Sequence, residues 1–113
     1  MIRISILFFT GILLATGASA DCRQDRQGNV RCGEGECARD VYGKIYCANA
    51  GGGAMKNRNG KVVCGVGYCA EDYLGEIWCS EKPEGGAAGD RNGEVKCLGD
   101  CAPASARLCS EAR

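Results

Sequence analysis

Small apolar residues alternate with polar ones over short stretches of this chain, and each stretch ends on a cysteine. Val30-Arg31-Cys32, Ile45-Tyr46-Cys47, Val62-Val63-Cys64, Ile77-Trp78-Cys79 and Val95-Lys96-Cys97 share the pattern, and its period of two is that of a strand with one covered face. Ahead of each stretch stand Asp or Asn, two further residues, Gly and one more residue, so an eight-residue phrase recurs at 25–32, 40–47, 57–64, 72–79 and 90–97. The Asp/Asn-x-x-Gly half suits a type I turn followed by a residue with positive φ, the three-residue hairpin loop that ends in a bulge. Five phrases therefore predict five β-hairpins, at about 22–32, 37–47, 54–64, 69–79 and 87–97.

The loop fixes a register. With Arg26-Gln27-Gly28 as the loop, Gln24 faces Val30 and Cys22 faces Cys32, at a non-hydrogen-bonded site where Cα atoms approach to roughly 4.5 Å and a bridge can form. The same count sets Cys37 opposite Cys47 and Cys69 opposite Cys79, whereas Cys64 meets Ala54 and Cys97 meets Ala87. Cross-strand bridges in three hairpins, Cys101 with Cys109, and a long bridge from Cys64 to Cys97 would use all ten cysteines. A rival scheme joins neighbouring hairpins through Cys32 with Cys37, Cys64 with Cys69, and Cys97 with Cys101. Sequence favours the first set through the register and leaves the second open.

Cys32 to Cys64 spans 32 residues and Cys64 to Cys97 spans 33, with Gly51-Gly52-Gly53 and Gly85-Gly86 at the joints, read as flexible. Hairpins this small are not stable alone, so they must form an array that covers its own apolar faces. Val30, Ile45, Val62, Ile77 and Val95 are the expected shared core, and residues 98–113, which lose the Asp and Gly of the turn, the expected terminal cap. A radial, flower-like closure would remove exposed edges and bring the five Val/Ile side chains to one centre. The expected fold is thus an all-β, disulfide-rich array of five hairpins with no helix after the leader. The repeated Asp-x-x-Gly-x-Val-x-Cys phrase and Gly51-Gly52-Gly53-Ala54 resemble those of small secreted Cys-rich alphaproteobacterial proteins of the five-fold β-flower type. The resemblance covers residues 22–109 and implies a fold, not a function.

Composition sets the compartment. Arg3, the apolar run Ile4 to Leu14 and Ala18-Ser19-Ala20 read as a signal peptide over residues 1–20, with Asp21 the first mature residue. Taking 20 residues from 113 leaves 93 that hold all ten cysteines, a density that marks a single disulfide-stapled domain over 21–113 and a secreted or periplasmic address. The apolar run is too short to span a bilayer, so no membrane span is expected in the mature chain. Fourteen basic residues, one of them Arg3, against fourteen acidic ones leave the mature chain near −1, without a basic footprint for nucleic acid.

Candidate chemistry is sparse. The sequence has no His, which removes the usual general base, the Ser-His-Asp relay and His-bearing zinc sites. Glu71, Asp72, Glu76 and Glu81 are scattered over turns and strands, and the glycine clusters lack the Lys-Ser or Lys-Thr of a phosphate loop. No catalytic residue, cofactor or metal is therefore expected, and the chain reads as a non-enzyme. Tyr42, Tyr46, Tyr68, Tyr73 and Trp78 all fall between the second and fourth hairpins. Tyr46 and Trp78 occupy equivalent positions, pointing away from the cysteine face, where a ring could stack on a glycan, a peptide or an apolar patch of a partner. Three classes follow: a structural component of the envelope, a binding module for a protein or glycan partner through Tyr46 and Trp78, and a secreted inhibitor or effector presenting Arg58 or Arg91 at a turn tip. Oligomeric state is not legible.

Overall fold

A computed structural model describes residues 21–113; the expected signal peptide, 1–20, lies outside the described residues. The chain is all-β, with no α-helix among the described residues and a single 3-10 turn at Ala106–Leu108. Its five hairpins are β1 (Asp21–Gln24) with β2 (Val30–Gly33), β3 (Cys37–Arg39) with β4 (Ile45–Ala48), β5 (Ala54–Lys56) with β6 (Val62–Cys64), β7 (Cys69–Glu71) with β8 (Ile77–Ser80), and β9 (Ala87–Gly89) with β10 (Val95–Cys97). Register follows the turn chemistry: Cys22 faces Cys32, Cys37 faces Cys47, Cys69 faces Cys79, and Ala54 and Ala87 face Cys64 and Cys97.

One turn is built five times. In the second hairpin Asp40 Oδ1 accepts the Tyr42 and Lys44 N–H groups at 2.9 Å, and Asn57 does the same for Asn59 and Lys61. Gly28, Gly43, Gly60, Gly75 and Gly93 hold φ between 84° and 89°, a region in which a Cβ would meet the backbone. The side-chain acceptor satisfies two turn N–H groups and the glycine reverses the chain. Together they set which residues face each other.

Five bridges use all ten cysteines. Cys22–Cys32, Cys37–Cys47 and Cys69–Cys79 lie at the facing pairs, with Cα atoms 4.0, 4.0 and 3.9 Å apart. The remaining four cysteines correct the expectation. Cys64 bonds Cys109 and Cys97 bonds Cys101, so the tail does not close on itself and no bridge joins the third hairpin to the fifth. Of the rival scheme, only Cys97 with Cys101 is realised.

The reason is the path of the tail. From the fifth hairpin it runs back along the second strands of the other four, meeting each at its cysteine. β11 (Cys101–Pro103) adds to β8 with Ala102 opposite Cys79, Ser105 pairs with Cys64, and β12 (Cys109–Glu111) adds to β4 with Ser110 opposite Cys47. Arg113 finally exchanges two backbone hydrogen bonds with Cys32, of 2.8 and 3.1 Å. Because each cross-strand site is non-hydrogen-bonded within its hairpin, the cysteine N–H and C=O point outward, and the tail satisfies them. A cysteine on the tail is thereby carried to Cys64.

The hairpins stack in chain order. The residue after each capping Asp or Asn sits over the turn glycine of the next hairpin: Arg26 N–H donates to the Gly43 carbonyl, Val41 to Gly60 and Tyr73 to Gly93, while the Arg58 guanidinium lies over Gly75. Gly28 has no such residue above it, and among the described residues no hydrogen bond joins the fifth turn to the first. Burial is uneven along the succession. Ile45, Val62 and Ile77 are 2%, 3% and 7% exposed, Val95 is half-buried, and Val30 is 64% exposed. Three of the five expected core residues are buried, yet they do not share one centre: Val62 packs with Ala48, Ala54 and Cys64, and Ile45 with Cys37 and Cys47.

The first glycine joint also differs from expectation, whereas in the second Gly85 is buried and Gly86 is exposed with nothing within 4 Å of where a Cβ would stand. Gly51, Gly52 and Gly53 are buried, and a Cβ on Gly53 would stand 2.9 Å from the Cys69 nitrogen and the Tyr68 Cα. They are tightly packed contacts, not slack. The two-hairpin period survives in hydrogen bonds: Gly35 to Ala48 and Glu36 to Gly52 in one unit match Gly67 to Ser80 and Tyr68 to Gly85 in the next.

Candidate functional site

In two of the phrases, the residue just ahead of the closing cysteine reaches back to its own capping aspartate. In the first hairpin this is Arg31, whose Nε donates to Asp25 Oδ2 at 3.1 Å; in the fourth it is Trp78, whose indole N–H donates to Asp72 Oδ2 at 3.0 Å. The other oxygen of each carboxylate caps the turn. Burial raises the Asp25 pKa, but the Asn29 N–H, the Arg31 guanidinium and the Gln27 N–H outweigh it and hold the carboxyl below its ordinary value. At Asp72 the same balance is struck by burial against the Glu76 N–H, the Trp78 indole and the Leu74 N–H. Both carboxylates are fixed acceptors in a turn.

Trp78 is thus half-buried, with its polar edge satisfied inside its own hairpin and with Ala70 and Pro103 as its strand partners. Tyr46, its equivalent, is also half-buried and packs against the core of Ala48, Ala54, Val62 and Cys64. The two rings part company at the surface. A groove of about 980 Å³ takes in Tyr46 but leaves Trp78 outside its lining.

That groove follows the turn side of the first three hairpins. Arg26, Tyr42 and Lys61 stand along it, Ile45 and Val62 lie at its base, and Glu111 and Ala112 of the tail border it. Tyr42 is 78% exposed. Of its charges, Arg31 pairs with Asp25 and Lys44 with Glu111 at 3.6 Å, whereas Arg26 and Lys61 make no ion pair among the described residues. The sequence singles out Tyr42 and Tyr46 as aromatic, but nothing in it brings Lys61 or Glu111 beside them. That requires stacking and the returning tail.

The other candidates fall elsewhere. Glu71, Glu76 and Glu81 lie on the fourth hairpin and just beyond it, and Arg58 and Arg91 lie at turns, Arg58 against Gly75. Among the described residues no group of three or more His, Cys, Asp or Glu is arranged to hold a metal ion, and no helix is long and apolar enough to cross a membrane. Comparison of the chain with family models, with characterised proteins and with solved structures finds no match in any of the three.

Proposed function

We propose that this chain is a non-enzymatic, disulfide-stapled structural or interaction protein that is exported and works in the periplasm or outside the cell, in the group of small secreted Cys-rich bacterial proteins its phrases resemble. The carrying observation is the use of all ten cysteines in five bridges, two of which tie down the tail that crosses four hairpins. Five disulfides point to an oxidising environment, and a core this small needs covalent support to hold. The absence of His from the sequence supports the non-enzymatic reading. Digestion by a broad-specificity protease tests it: the oxidised chain should survive conditions that degrade the reduced and alkylated chain. Isolation of the native protein with most thiols free, yet cooperatively folded and equally resistant, would overturn it.

A second reading, a binding module, is favoured by the groove. Its exposed Tyr42, its half-buried Tyr46 and its unpaired cations are brought together by the stacking of the first three hairpins and by the returning tail. The expected patch of Tyr46 with Trp78 is replaced here by Tyr42 with Tyr46. Capture of the same partners by the wild type and by Tyr42→Ala would remove this reading.

A further inference from the structure

We infer that the groove along the first three hairpins binds a short acidic oligosaccharide, a chain of carboxylated sugar rings; this deepens the binding-module reading and rests on it. The charges decide the class. Asp25 accepts the Gln27 and Asn29 N–H groups and the Arg31 guanidinium, Asp40 accepts the Tyr42 and Lys44 N–H groups, and Glu111 pairs with Lys44. The carboxylates bordering the groove are thus committed to the fold. Arg26 and Lys61, from the first and third hairpins, are not, and they stand on turns that flank the second. Four cations, Arg26, Arg31, Lys44 and Lys61, against three carboxylates, Asp25, Asp40 and Glu111, leave the lining at +1, and its two cations without an ion-pair partner among the described residues suit a ligand with carboxylates at intervals.

The aromatic groups choose a sugar over an acidic peptide. Tyr42 projects from the second turn between those cations, and its face is open to stack on the apolar face of a pyranose ring. Tyr46 lies deeper, beside the buried Ile45 and Val62, and β4 is already covered on both sides by β3 and β12. An extended peptide could therefore not pair with β4, the strand that carries Tyr46. The cavity of about 980 Å³ lies at the upper end of the range for drug-sized ligands, room for a few rings.

The test is amide chemical-shift titration of the oxidised protein with three probes: trigalacturonate, the neutral maltotriose, and a pentaglutamate peptide. Trigalacturonate should move the Tyr42, Lys44 and Lys61 amides and bind at least about tenfold tighter than either other probe, with affinity falling as salt is raised. Tyr42→Ala and the double variant Arg26→Gln, Lys61→Gln should each weaken binding about tenfold or more. Gln at position 26 keeps the Cβ that lies over Gly43. Tyr73→Ala, which removes the exposed ring at the equivalent turn of the fourth hairpin, should change nothing. Equal binding of maltotriose, tighter binding of pentaglutamate, or shifts that ignore these residues would each overturn the inference. Loss of captured partners in Tyr42→Ala without these shifts would leave the binding-module reading standing while this inference fails, so the two failures are distinguishable.

Discussion

The second and third hairpins are written in the same phrase and close in different ways. In the second, Cys37 and Cys47 bond across the strands; in the third, Ala54 stands opposite Cys64, whose partner is Cys109 on the tail. What lies above each site differs to match. Gly33 sits over the Cys37–Cys47 bridge so closely that a Cβ would collide with Cys47, while Ala48, with its methyl, packs into the cluster of Ala54, Val62 and Cys64. The fourth and fifth hairpins repeat the alternation: Gly65 covers Cys69–Cys79, and Ser80 reaches toward the fifth hairpin, its hydroxyl donating to the Leu98 carbonyl at 2.7 Å. A cystine takes the volume that Ala leaves free, so the residue stacked on it must be smaller. That alternation is the physical content of the two-hairpin period.

Removing the tail bridge should have the largest effect. Cys64–Cys109 spans 45 residues and Cys97–Cys101 spans 4, and loop closure in the unfolded chain assigns them about 4 and about 2 kcal/mol respectively. Urea unfolding of Cys64→Ser with Cys109→Ser, against Cys97→Ser with Cys101→Ser, should show the first pair less stable; the reverse order would mean that the tail holds without its bond to the third hairpin.

Stacking over a cystine comes next. Gly65→Ala should cost about 1–3 kcal/mol, because its Cβ would overlap the Cys79 side chain with no empty space to take it. Gly89, in β9, has open space where a methyl would go, with nothing within 4 Å, and Gly89→Ala should instead gain roughly 0.4–1 kcal/mol by restricting the unfolded chain. Denaturant midpoints of the oxidised variants separate the two, and equal effects would remove the size-matching argument.

The capping carboxylates should give the smallest effect and the most local one. Asn57 shows that an amide can cap this turn, so Asp40→Asn should be nearly silent. Asp72→Asn should be worse, since its second atom must accept the Trp78 indole, and an amide nitrogen turned that way cannot. Asp25 and Asp72 titrate lower in the folded chain than the ordinary 3.8, so what they contribute is complete above the unfolded-state value and drains as pH falls through the folded-state value. Urea midpoints should therefore drop between about pH 5 and about pH 2, and drop less in Asp72→Asn. A variant with an undiminished acid loss would show that the Asp72 carboxylate contributes none of it.

Much of this architecture was legible because it is local. The Asp or Asn at the head of each phrase and the glycine three residues on dictate a turn, the turn dictates a register, and the register sets Cys22, Cys37 and Cys69 opposite their partners through contacts no more than ten residues apart. The site was legible only in part, as aromatic residues without a geometry: Tyr46 and Trp78 share a place in the phrase, yet one borders the groove and the other spends its indole on Asp72. Period two says which way a ring points, not what stands beside it.

The five hairpins, their facing residues and three of the bridges follow from the residue string, since each rests on backbone preferences within one turn. The course of the tail, the partners of Cys64 and Cys97, the burial of Ile45 against the exposure of Val30, and the meeting of Arg26, Tyr42 and Lys61 around one groove arise only in the packed chain. Those depend on how separate hairpins stack and on which outward-facing backbone groups the last residues satisfy, and no pattern within an eight-residue phrase carries that information.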